Sequence, residues 1–161
     1  MLIQARWFWK LRARAGYLVA RRLMKWPAAV RQPRLWQWME GQFARMANLG
    51  DAGAQSFYGH ILLFRGQGMA ARDEGRRLLA LAAQAGESKA AYQLGLLCLQ
   101  DSPQQAADAA AAARWWAMAA KAGHPLAARK LAGLYRTGGP GLAADEALAA
   151  RMEKRAAELG L

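Results

Sequence analysis

The residues best equipped for chemistry in this chain are His60, His124 and Cys98, with two glycine-rich strings, RGQG (65–68) and TGGPG (137–141). A cysteine beside a histidine could be an activated nucleophile. A histidine among carboxylates could hold a metal. A glycine string before a helix could cradle phosphate. None of these assembles. No cysteine or carboxylate cluster accompanies either histidine. Cys98 sits in the apolar run LGLLCLQ and reads as a small buried residue. The glycine strings lack a preceding strand and the lysine of a phosphate loop, and read as turns. His124 precedes Pro125 at a helix start and reads as a polar turn residue. Asp73, Asp108 and Asp145 recur near the starts of helical stretches, where a negative charge suits the helix dipole rather than catalysis. The chain is therefore read as non-enzymatic, with no catalytic residue, cofactor or metal.

The elements around these residues repeat. The strings MANLG, AAQAG, AAKAG and AAELG end in Gly50, Gly86, Gly123 and Gly160, at spacings of 36, 37 and 37 residues. Aligned on these glycines, Tyr58-Gly59, Leu94-Gly95 and Leu131-Ala132 share one register, and Leu62, Cys98 and Tyr135 another. Leu78-Leu79, Trp115-Trp116 and Met152-Glu153 share a third. Each unit holds two helical stretches split by a breaker: RGQG, QDSP or TGGPG. Ser102-Pro103-Gln104-Gln105 has the form of a capping box, Ser88 and His124-Pro125 open helices, and Gly86 and Gly123 fit left-handed helix ends. A period of about 36 residues is that of stacked helical hairpins, in which a second helix is covered on two sides. That predicts both Trp115 and Trp116 to be core.

These registers resemble the Sel-one-like repeat, a short relative of the tetratricopeptide repeat. AYQLGLLCL (91–99) with ARWWAMAAKAG (113–123) carries the likeness best. AARKLAGLYRTGG (127–139) with ARMEKRAAELG (150–160) is a second copy, and SFYGHILLFRGQG (56–68) with GRRLLALAAQAG (75–86) a looser one. The resemblance implies an all-α fold, a right-handed α-solenoid of helix–turn–helix repeats at 51–86, 87–123 and 124–161, acting as a protein-binding scaffold or adaptor. Residues 34–50 read as a capping helix or a half repeat that has lost its first helix.

The net charge of +12 is uneven: residues 1–50 hold ten Lys/Arg against Glu40 alone, and five of the seven tryptophans. Residues 1–33 read as a basic amphipathic helix followed by a proline-containing linker. Phe8, Val19, Leu23 and Trp26 are placed on its apolar side, with Arg6, Lys10, Arg14, Arg21 and Lys25 opposite. Three roles stay open for it. It could cap the first repeat. It could attach to an anionic membrane surface, with Arg6, Trp7, Trp9, Lys10, Arg14, Arg21 and Lys25 in contact. Nucleic-acid binding ranks last, because no recognition motif accompanies the cations. Charges interrupt every apolar run near the start, so neither a signal peptide nor a spanning helix is expected. The expected location is the cytoplasm, with peripheral attachment to the inner face of the membrane as the alternative.

In such solenoids the first helices line the concave side. The outward residues expected there are Ser56, His60, Lys89, Tyr92, Gln93, Arg129 and Lys130. That polar, somewhat basic face would suit an acidic peptide or a protein carboxylate.

Overall fold

The computed structural model describes residues 2–101 and 106–161, with side chains from Lys10 onward. Their regular structure is helical: α1 (Leu2–Leu23), α2 (Pro27–Arg31), α3 (Pro33–Asn48), α4 (Ala52–Arg65), α5 (Gly68–Gln84), α6 (Ser88–Cys98), α7 (Ala109–Lys121), α8 (Pro125–Thr137) and α9 (Glu146–Glu158). The capping box read at 102–105 lies outside the described residues. The chain forms two compact units, Met1–Leu78 and Leu79–Leu161, with α5 contributing to both.

Helix ends follow the repeat. Gly50, Gly86, Gly123 and Gly160 all have positive φ, between 84° and 98°. At Gly86 and Gly123 two backbone bonds close the helix: Gly86 N–H to Ala83 and Glu87 N–H to Ala82, then Gly123 N–H to Ala120 and His124 N–H to Ala119. Asp108 and Asp145 cap α7 and α9, accepting from Ala111 N–H at 2.8 Å and Leu148 N–H at 2.9 Å. Asp51 does the same for α4, at 2.8 Å from Ala54 N. Asp73 departs from this pattern. It lies 13 residues before Gly86, whereas Asp108 and Asp145 lie 15 before Gly123 and Gly160. With α5 starting at Gly68, Asp73 is an exposed residue inside the helix and caps nothing.

In the first unit α1 packs along α3, and α3 along α4. Ala13, Tyr17 and Ala20 of α1 are buried with Met39, Phe43 and Met46 of α3 and Ile61 and Leu62 of α4. Phe43 meets Tyr17 edge-on at 6.1 Å and Phe57 at 5.0 Å. Buried Gln55 donates to the Ala47 carbonyl at 3.2 Å, a second bond to an oxygen that already accepts from Gly50 N–H at 3.0 Å, which ties α4 to the end of α3.

The helix at 34–50, read as a capping helix or a half repeat, packs against α1. At Gly16 an added Cβ would overlap Gln42 Oε1, so the helices cross closely there. Gln42 and Phe43 stand eight and seven residues before Gly50, in the register of Trp115-Trp116 before Gly123. The apolar side expected for α1 holds only in part: Leu23 packs against the core. Val19 is 52% exposed and Trp26 65%, while Ala13, Tyr17 and Ala20 face the core. Small residues let the two backbones approach, and that contact outweighs the larger but less shapely face. The side chain of Phe8 lies outside the described residues.

In the second unit α6 packs on α7, α7 on α8 and α8 on α9. Its core is mostly alanine (Ala90, Ala91, Ala112, Ala113, Ala119, Ala120, Ala127 and Ala128), with Leu94, Leu131 and Trp116 filling the remaining volume. The two tryptophans differ. Trp116 is buried, with its indole against Gly95 and its Nε1 donating to the Tyr92 carbonyl at 3.1 Å. Trp115 is only half-buried, because its direction on α7 is about 100° away.

Candidate partner-binding groove

The residues that could do chemistry all have local structural tasks. His60 Nδ1 donates to the Ser56 carbonyl one turn back at 2.8 Å, and its ring stacks on Phe64. His124 is the N-cap of α8, its Nδ1 accepting from Ala127 N–H at 3.2 Å. Burial, then the charge of Lys89, holds His124 below its ordinary pKa of 6.5, which keeps the ring a neutral acceptor. Cys98 is half-buried rather than buried as expected, and its carbonyl accepts from Asp108 N–H at 2.8 Å, tying the end of α6 to the cap of α7. Among the described residues no group of three or more His, Cys, Asp or Glu could hold a metal ion.

The residues expected on the binding face fall in both units. In the first unit Ser56 is buried at 9% exposure, which removes it from any open surface. It is a short side chain that follows buried Ala54 and Gln55 on α4. His60 is half-buried. In the second unit Lys89, Arg129 and Lys130 are exposed, while Tyr92 and Gln93 are half-buried. Tyr92 stacks on neighbouring rings rather than standing free. Its ring lies 4.5 Å from that of His124 at an interplanar angle of 13°, and 6.4 Å from that of Trp116. Of the N-terminal contact residues, Lys10, Arg14, Arg21 and Lys25 are exposed. The side chains of Arg6, Trp7 and Trp9 lie outside the described residues.

Arg129 and Lys130 border a groove of about 500 Å³ whose other walls include Leu99, Trp116, Leu126 and Leu134. Leu126 is 43% exposed. Neither α6 nor α8 contains an acidic residue. Arg136, at the far end of α8, is held by Glu153 at 2.5 Å and Glu146 at 3.7 Å, an exposed network that leaves the groove's cations uninvolved. The geometry is an apolar floor beside two cations: it can take aliphatic side chains and a carboxylate together. The apolar floor was missed in the sequence. Leu126 stands three residues after its glycine, the register of exposed Gly53 and Lys89, so a leucine there was a readable sign of a surface apolar site.

No helix among the described residues is long and apolar enough to cross a membrane. Neither the protein-family models nor the curated proteins give a match. Solved structures do. A protective antigen of uropathogenic Escherichia coli displaying an SLR fold is similar at a TM-score of 0.64 and 24% identity, over 76% of this chain. The chain spans 26% of that protein's length, and the likeness speaks for the fold. A Sel1 repeat protein from Oxalobacter formigenes is similar at a TM-score of 0.61 and 31% identity, over 74% of this chain and 88% of its own. With glycine-closed helical hairpins at the repeat's spacing, an all-α solenoid fold and this level of identity along most of a relative's length, the chain belongs to the Sel1-like repeat family.

Proposed function

We propose that this protein is a non-enzymatic scaffold that grips an acidic segment of a partner protein in the groove that α8 forms with Trp116 of α7 and Leu99. The observation that carries the reading is the pairing of Arg129 and Lys130 with the half-exposed Leu126 on one groove wall. An apolar floor supplies affinity by removing aliphatic side chains from water, and cations at its border select a carboxylate-bearing sequence and set the on-rate. The stacking of Tyr92 on His124 and Trp116 stiffens the adjoining wall, so little ordering is needed on binding. Lys89 and Gln93 extend the same polar face along α6. On this reading the protein works in the cytoplasm as an adaptor.

The test is site-specific photocrosslinking in cells. A crosslinker at position 126 should capture a partner that one at exposed Arg151, on α9, does not. The purified partner should bind the wild-type protein and lose at least tenfold in affinity to a variant carrying Arg129→Glu and Lys130→Glu. Unchanged binding by that folded variant would sink the assignment of the groove.

A further inference from the structure

We infer that the outward face of α1 is a docking surface for an anionic lipid bilayer. The core takes one side of this helix, Ala13, Tyr17 and Ala20, and so fixes what points away. The opposite side presents aliphatic groups to solvent: Leu11 at 45%, Leu18 at 60% and Val19 at 52% exposure, followed by Trp26 just past the helix end. Leu11 and Leu18 are two turns apart on one line of the helix. Exposed Lys10, Arg14, Arg22 and Lys25 flank that line, and α1 contains no acid.

The surroundings extend this surface. Leu18, Arg21, Arg22, Lys25 and Phe57 line a cleft of about 580 Å³. The Arg21 guanidinium there lies over the rings of Tyr17 and Phe57, 5.7 and 5.2 Å from their centroids, which holds a cation in place for a headgroup phosphate. Towards the other end, Lys10, Leu11 and Arg14 share a second cleft with half-exposed Leu49. Its one carboxylate, Asp51, is committed to capping Ala54.

Lipid fits this face better than the other occupants of a basic helix. Nucleic acid rewards the cations but gives aliphatic groups no partner. A protein hot spot gathers its apolar groups in one central pocket. Here they run in a line over about 12 Å of the helix, from Leu11 to Val19, and on to Trp26, which matches a planar interface that takes apolar groups below and cations at headgroup level.

The experiment is co-sedimentation of the full-length protein with vesicles of phosphatidylcholine, with and without about a third phosphatidylserine. All substitutions fall on exposed positions, so the packing of α1 on α3 is kept, and an unchanged thermal midpoint verifies it. The wild type should bind the anionic vesicles and not the neutral ones. Arg14→Gln, Arg22→Gln and Lys25→Gln together should weaken binding on the order of a hundredfold. Leu18→Gln, Val19→Gln and Trp26→Gln together should weaken it at least tenfold. Binding that survives the apolar substitutions would overturn the inference, since charge alone would then explain it. So would a wild type that ignores both vesicles, or one retained by DNA or RNA instead.

Discussion

Gly95 and Gly133 are both inside helices of the second unit, and the same substitution should act in opposite directions at the two. Alanine is the better helix former by about 1 kcal/mol. At Gly133 an added methyl meets nothing within 4 Å, so Gly133→Ala should stabilise by about 0.5–1 kcal/mol. At Gly95 the methyl would overlap Cδ1 and Nε1 of Trp116 and stand 2.9 Å from Cε2. Trp116 is 2% exposed and is held in place by its bond to the Tyr92 carbonyl. Its retreat strains the packing by about 1–3 kcal/mol. It also weakens the bond to the Tyr92 carbonyl, worth about 1 kcal/mol. Set against the helix gain, Gly95→Ala should destabilise by about 1–3 kcal/mol. For a chain of this size that lowers the unfolding midpoint by roughly 3–10 °C, while Gly133→Ala raises it by roughly 1–4 °C. Circular dichroism and tryptophan fluorescence during thermal and urea unfolding read both. Combining Gly95→Ala with Trp116→Leu should be less harmful than the sum of the two, because the smaller side chain vacates the contested space. A Gly95→Ala protein as stable as wild type would refute the claim that the indole occupies the missing side chain's volume.

Three further outcomes follow from the caps. His124 has its pKa lowered in the folded state, so its contribution to stability is full above the ordinary value of 6.5 and is lost as the pH falls towards the lowered value. Protonation also removes the Nδ1 acceptor from Ala127 N–H and places a cation at the start of α8 beside Lys89. Amide exchange at Ala127, corrected for its intrinsic pH dependence, should therefore rise as the pH falls below the ordinary value of 6.5 towards the lowered one, and His124→Asn should remove that rise while keeping a cap. Asp108→Ala and Asp145→Ala should each destabilise by about 1 kcal/mol in urea unfolding, whereas Asp73→Ala should change stability by less than about 0.5 kcal/mol. Gly123→Ala, at a φ of +86°, should destabilise by about 1 kcal/mol or more, and a neutral result would show that this helix end is not left-handed in solution.

The sequence by itself determined the all-α class, the helix ends and their closing glycines. Those features are local: a left-handed helix end needs glycine wherever it occurs, so Gly50, Gly86, Gly123 and Gly160 mark the period on their own. Caps one turn long, such as those of Asp108, Asp145 and His124, were legible for the same reason. Asp73 misled because a two-residue shift moves a cap into a helix, and only the actual start of α5 reveals it. Which face of a helix is buried was a tertiary decision. In α1 the large apolar residues suggested one side, but alanine and glycine let α3 approach on the other, and distance of approach is not encoded in hydrophobicity. Trp116 was buried and Trp115 left half-covered because Gly95 opposes only one of them. The groove was decided the same way. Leu99 just past α6, Trp116 of α7, and Leu126 and Leu134 of α8 are apart in sequence, and only packing brings them beside Arg129 and Lys130.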